Sequence, residues 1–256
     1  YSLGDTSTNL LAAAPARVSA ATQVSVTNPV SVANAVSLRA LNANTVYNLS
    51  DTAANLFAAS AAVANGATNI TATTAATVAQ ASLIDAYVGT FTYSLSDTGA
   101  HLSAAPAALM NGATTTTVTD AATVAQAIAL LAANANVTYA LSDTALNLAG
   151  ALLNVGQHAT LINASDAVTV AQIHAIHAYK NPGVLTLLTL TDSAANLAAA
   201  IAPSLDPALA DARSITVTGT ASVAQADVIH GYNAQVRYAL SDTVANVVAA
   251  INLNDA

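Results

Sequence analysis

The sequence predicts an α/β solenoid, on three observations. A unit of 23 residues recurs along the whole chain, each copy opens on a period-two alternation, and each then passes into an alanine-rich stretch of helical character. The phrase Tyr-x-Leu-Ser-Asp-Thr stands at residues 47–52, 93–98, 139–144 and 238–243, with a variant at residues 1–6. A second phrase, Thr-x-Thr-x-Ala-x-Thr-Val-Ala-Gln, lies between these copies around Val78, Val124, Val170 and Val223, and less cleanly around Val32. Aligned on the residue that closes the alternating segment, the two phrases form one series: Asp5, Asn28, Asp51, Thr74, Asp97, Asp120, Asp143, Asp166, Asp192, Gly219 and Asp242. Every step is 23 residues except 26 before Asp192 and 27 before Gly219, which makes about eleven repeats.

The residues before each of these anchors predict a strand. Two positions ahead come Leu3, Val26, Leu49, Ala72, Leu95, Val118, Leu141, Ala164, Leu190, Val217 and Leu240, the expected core face. One and three positions ahead stand Ser, Thr or Asn in nearly every copy, the expected outer face. The anchor itself is expected at the helix N-cap, where a carboxylate accepts orphaned amides; this gives a ladder of Asp5, Asp51, Asp97, Asp120, Asp143, Asp166, Asp192 and Asp242. The Ala-rich segment that follows has high helix propensity. Asn42, Asn65, Asn111, Asn134 or Asn233 then closes the unit, with Gly66 and Gly112 after two of them, as a left-handed C-terminal cap would require. Strand, helix and strand in repetition imply parallel strands with right-handed crossovers. The expectation is therefore a single right-handed solenoid over residues 1–256, parallel sheet on one face and short Ala-rich helices on the other. The outline resembles a leucine-rich-repeat solenoid in architecture, without its Leu consensus.

Alternate repeats differ. Four residues after the anchor the odd repeats carry Asn9, Asn55, His101, Asn147, Asn196 and Asn246, where the even repeats carry Val. Two residues further on, the even repeats add Gln80, Gln126, Gln172 and Gln225. These amides are expected to form a polar ladder that bonds neighbouring rungs and holds register. The chain also departs from its own rule at two insertions, near residues 178–186 and 202–213, and insertions in repeat proteins are often binding features.

Composition narrows the function. The formal net charge is −8 with only five Lys and Arg, which argues against nucleic acid and anionic lipid as partners. Charged residues are 7% of the chain and all thirteen acids are Asp, so solubility must rest on Ser, Thr and Asn. With no Cys there is no disulfide framework, thiolate metal site or Cys nucleophile. No apolar run has the length of a membrane span. The chain opens on Tyr1, itself an internal repeat position, and is expected to be part of something longer.

No catalytic motif or cofactor site is read, and the repetition itself argues against a unique active site, so the chain is not expected to be an enzyme. His174 and His177, three apart on one predicted helix, are the candidate metal ligands, but no third strong ligand is in register and no metal is assigned. The candidate binding face is the outer one, where Thr71 and Thr73, Thr117 and Thr119, Thr189 and Thr191, and Thr216 and Thr218 would form tracks of hydroxyls and methyls. Such Thr-x-Thr arrays are similar to the ice-binding face of β-solenoid antifreeze proteins. In its scarcity of Lys, absence of Cys, abundance of Ala, Thr, Asn and Asp, and near-verbatim repeats, the whole chain resembles the repeat regions of giant bacterial adhesins and S-layer-type proteins. That resemblance implies an extracellular or cell-surface location and a structural or adhesive scaffold whose partners are other protein copies or further repeats, joined end to end. The alternatives are a solenoid that binds a surface glycan or ice through the Ser/Thr face, and a non-catalytic platform attached to an enzyme domain elsewhere in a longer chain.

Overall fold

The computed structural model describes residues 1–87 and 89–254, a mixed α/β chain with parallel strands in open sheets and, among these residues, fifteen α-helices. It divides into two compact bodies: residues 1–119 with 129–137, and residues 120–128 with 138–256. The division falls inside the helix Val124–Ala133.

In the first body five strands, Ser2–Asp5, Gln23–Val26, Thr45–Asp51, Ala67–Ala72 and Thr90–Thr92, lie side by side in chain order, each parallel to the next. Leu95–Asp97 pairs in parallel with Thr116–Val118. In the second body the order is Ala212–Thr218, Leu185–Ser193, Ala159–Ala164, Tyr139–Asp143, Ala121–Ala122, again parallel, and Thr220–Ala221 pairs with Ala239–Leu240. Each strand returns to the neighbour it pairs with through helix, which is the connection that parallel pairing needs.

The register corrects the expected core. In the first body Leu49 pairs with Ile70 on one side and Val30 on the other, and Leu95 with Thr116 and Ala76. In the second body Leu141 pairs with Ile162 and Ala122, and Leu190 with Ile215 and Val168. An even repeat therefore presents two short inward segments six positions apart, one to each neighbour, with a jog at the anchor between them. Its buried residues are Val24 and Val30, Ile70 and Ala76, or Ile162 and Val168. Val26, Ala72, Val118, Ala164 and Val217, expected in the core, are only half-buried, because they fall on the jog. The structural period is thus the 46-residue pair, not the 23-residue unit.

The helices differ between the halves of the pair. Even repeats carry one helix, such as Val32–Leu41, Val78–Asp85 or Val170–Tyr179. Odd repeats of the regular series break it in two, as in Ser7–Ala12 and Pro15–Ser19, Ala53–Ala58 and Ala61–Ala64, and Ala145–Ala149 and Leu153–Gln157, whereas the repeats after Asp192 and Asp242 carry the single helices Ala194–Ile201 and Val244–Asn254. Pro15, at the first position of its helix, has no amide to continue the one before. At the Ala61–Ala64 break the Ser60 hydroxyl accepts from the Val63 amide and starts the second helix.

The expected left-handed caps are absent. Asn42 and Asn233 are extended, at φ −149°, Asn65 is helical, and no non-glycine residue has positive φ among the described residues. Asn42 works through its side chain, whose Nδ2 donates to the Val18 and Ala21 carbonyls of the preceding repeat while its Oδ1 accepts from the Asn44 amide. Carbonyls left over at one helix end are so satisfied by the next repeat. The odd repeats achieve the same with tyrosine: Tyr47, Tyr93 and Tyr139 are buried, and their hydroxyls donate to the carbonyls of Val63, Leu109 and Val155, sixteen residues on. Burying a phenol without such a partner would be costly. Gly66 and Gly112 leave room for this, since a Cβ on either would stand 2.8 Å from the tyrosine oxygen.

Candidate functional site

The recurring aspartates do not cap their own helices. The N-cap position belongs to the next residue, Thr6, Thr52, Thr98, Thr144 or Ser193, whose hydroxyl accepts the amide three residues on. The aspartate sits one position outside. Its Oδ1 accepts the N-cap amide and the side chain of the residue four on: Asn9 on Asp5, Asn55 on Asp51, His101 on Asp97, Asn147 on Asp143, Asn196 on Asp192 and Asn246 on Asp242, all at 2.7–2.8 Å. Its Oδ2 reaches the preceding repeat and accepts the first helical amide there. Asp51 takes Val32, Asp97 takes Val78, Asp143 takes Val124, Asp192 takes Val170 and Asp242 takes Val223, each at 2.9 Å.

In the even repeats the N-cap falls three residues after the anchor instead of one, so Asp120 and Asp166 are not caps either. Thr77, Thr169 and Ser222 hold the N-cap, closed into capping boxes by Gln80, Gln172 and Gln225; Gln126 accepts the Thr123 amide in the same way. The even anchors still reach back. Asn28 accepts the Ser7 amide, Thr74 the Ala53 amide and Asp166 the Ala145 amide. Both halves therefore follow one rule at Asn28, Asp51, Thr74, Asp97, Asp143, Asp166, Asp192 and Asp242: the anchor satisfies an orphan amide of the repeat before it. Gly219 has no side chain to do so.

The polar ladder is corrected by the same geometry. Asn9, Asn55, Asn147, Asn196 and Asn246, like Gln80, Gln126, Gln172 and Gln225, are third helical residues that fold back on their own helix start. They bracket the cap locally, and the bonds between repeats are made by the anchors.

Burial raises the carboxyl pKa of Asp51, Asp97, Asp143 and Asp192, but the hydrogen bonds from two amides and one side chain outweigh it and hold each below the ordinary 3.8. For Asp5 and Asp242, at the surface, hydrogen bonding does the same. A carboxylate so occupied is held ionised and has little capacity left for a ligand.

On the outer sheet face Thr71, Thr73, Thr117, Thr119, Thr189, Thr216 and Thr218 are exposed, and Thr191 is half-buried. In the second body Thr189 faces Ser214, Thr191 faces Thr216 and Ser193 faces Thr218. In the first, Ser50 faces Thr71 and Ser96 faces Thr117. Neighbouring side chains bond across the strands, Asn69 to Asn48 at 3.0 Å and Ser94 to Thr114 at 2.8 Å. Because of the jog, each Thr-x-Thr pair follows the register of its own segment, and Ser faces Thr in these pairs except where Thr191 faces Thr216.

The two insertions come together in the second body against the helix Val170–Tyr179. His174 Nδ1 lies 3.1 Å from Asp206, His177 Nδ1 lies 2.8 Å from Asp211, and Lys180 Nζ lies 3.1 Å from the other oxygen of Asp211. The Lys180 and Asp211 side chains are 9% and 10% exposed, so this pair is shielded from solvent. Thr186 also donates to the Asp211 carbonyl. The two histidines take separate carboxylates, and among the described residues no group of three or more His, Asp, Glu or Cys could hold a metal. The arrangement is a clasp that fixes the segment around the 3-10 turn Pro207–Asp211. The acids were visible in the sequence, but nothing in their spacing of 32 and 34 residues from the histidines marks the pairing.

No helix among the described residues is long and apolar enough to cross a membrane. No family model matches the chain, and neither a curated protein nor a solved structure matches it.

Proposed function

We propose that the chain is a structural repeat scaffold of a bacterial cell-surface or secreted protein, a right-handed α/β solenoid of about eleven strand-helix repeats that makes adhesive or lattice contacts and is not an enzyme. The recurrence of one bond between repeats carries this reading: Asp51 to Val32, Asp97 to Val78, Asp143 to Val124, Asp192 to Val170 and Asp242 to Val223. Carboxylates that each accept two amides and a side chain serve to join one repeat to the next. That suits an array whose length changes by whole pairs, since each repeat contacts only its neighbours. Its partners would be further repeats or other copies.

Inserting extra copies of residues 47–92 tests the solenoid. The account expects the maximum dimension in solution scattering to grow by roughly 10 Å per inserted pair, two strand spacings, at constant cross-section. Growth in all directions would reject it. Protease shaving of intact cells of the source organism tests the location: peptides of this chain should be released before lysis, and their appearance only after lysis would oppose a surface role.

A second reading, binding of a neutral surface glycan or ice, is favoured by the in-register hydroxyls of Thr189 and Ser214, both exposed, and of half-buried Thr191 and exposed Thr216. Replacing Thr189 and Thr216 by Lys would abolish any thermal hysteresis or glycan binding that depends on that face. Unchanged activity would exclude it.

A further inference from the structure

Arg39 is the one arginine in the chain that is half-buried; Arg17, Arg213 and Arg237 are exposed. Among the described residues no carboxylate lies within ion-pair distance of it, in a chain of net charge −8. Its guanidinium lies so close over Gly66 that a Cβ there would stand 2.5 Å from Nη1, and the Tyr47 hydroxyl, which donates to the Val63 carbonyl, stands beside the same glycine. Glycine thus keeps the space beside the cation clear. A guanidinium has five N–H donors, and all of them call for partners.

The place is built from sequence features that repeat elsewhere without the cation. The corresponding position of the other even repeats holds Asp85, Leu131, His177 and His230. His177 is taken up by Asp211. At Arg39 the same column opens into a cleft of about 580 Å³ within the first body, lined by Thr22, Gln23, Asn44, Asn65 and Val46. The cleft is shallow and open to solvent. The walls mix amides and hydroxyls with Ala43, Val46 and Gly66, and carry a single positive charge on one side.

We infer that this cleft binds an anionic saccharide, a sugar ring bearing a carboxylate, with Arg39 pairing the carboxylate and Gln23 and Asn44 meeting the ring hydroxyls. A guanidinium fork matches a carboxylate in two parallel hydrogen bonds, which a Lys could not reproduce. The uncharged amides distinguish the site from one built for a bare anion, where further cations would be expected. The inference is independent of the scaffold reading, and its cleft lies at the strand starts, where Gln23 and Val46 continue the outer sheet face away from the Thr-x-Thr pairs.

Calorimetric and NMR titration of the full chain with a uronic-acid disaccharide, its neutral glucose counterpart and inorganic phosphate tests it. The expected result is binding of the acidic sugar at least tenfold tighter than either of the others, with shift changes at Gln23, Arg39 and Asn44. Arg39→Gln should weaken it at least tenfold with an unchanged melting temperature. Should that variant fail to fold, Gln23→Ala, at an exposed position, should weaken sugar binding several-fold. No binding, equal binding of the neutral sugar, phosphate binding as tightly as the acidic sugar, or full affinity in the folded variants would each overturn the inference.

Discussion

Asp51 accepts the Val32 amide at 2.9 Å through Oδ2 while its Oδ1 holds the Thr52 amide and the Asn55 side chain at 2.8 Å. One carboxylate so completes two helix starts, its own and that of the repeat before. Asp51→Ala leaves a part-buried amide without an acceptor and is expected to lower unfolding free energy by about 1–3 kcal/mol, the cost of an unmade hydrogen bond to a charged group. Thr74→Ala removes only the bond to Ala53 and is expected to cost about 1 kcal/mol. Chemical denaturation of the two variants should rank them in that order; equal and negligible losses would deny the anchors their joining role.

Stability should fall in acid. Asp51, Asp97, Asp143 and Asp192 have folded-state pKa values below 3.8, because their hydrogen bonds outweigh burial. A carboxyl with a depressed folded-state pKa contributes stability that is complete above its unfolded value and is lost as pH falls through the folded one. Melting temperature is therefore expected to be level above about pH 5 and to drop below about pH 4. Asp51→Asn should flatten that drop. A melting temperature that rises on acidification would contradict the assignment.

Gly156 lies against the ring of Tyr179, where a Cβ would stand 1.8 Å from Cδ2. Tyr179 is buried and donates to the Leu148 carbonyl at 2.7 Å. Helix propensity alone would make Gly156→Ala stabilising by up to about 1 kcal/mol. Overpacking of the ring, about 1–3 kcal/mol, is expected to win. Thermal unfolding of this variant should show a net loss, and a gain would mean that the ring moves aside freely.

Thr116 is the odd member of its column. Val24, Ile70 and Ile162 occupy the same inward position, whereas the Thr116 hydroxyl is shielded from solvent and has no hydrogen-bond partner. Thr116→Val removes the unpaired hydroxyl at nearly constant shape and is expected to stabilise by about 1 kcal/mol. A destabilised variant would show that the hydroxyl has a partner after all.

Much of this was legible in the amino acids. The anchor series, the strands ahead of it and the outward Ser and Thr all follow from periodicity, because a repeat must present the same groups to each neighbour. The jog of the even strands was not, since Val24, Val26 and Val30 are one residue type at alternate positions and only pairing with Leu3 or Leu49 separates them. The cap position was misplaced by one residue in the odd repeats, where Asp51 and Thr52 are both good caps and the choice depends on Asp51 being drawn back to Val32. In the even repeats the Thr-x-x-Gln of residues 77–80 was itself a capping-box signal. Arg39 and the clasp at Asp211 depend on contacts between repeats, which no single copy displays.

The 46-residue pair as the unit of the array is tested most directly by two deletions compared in thermal and denaturant unfolding. Removing residues 47–92 joins Val46 to Tyr93 and preserves the alternation of odd and even registers; this variant should fold cooperatively at close to the parental melting temperature. Removing residues 47–69 sets two even repeats side by side, so that Val30 loses Leu49 and meets a jogged strand; this variant should lose cooperative unfolding or melt far lower. Equal tolerance of both deletions, or failure of the 46-residue one, would contradict the account.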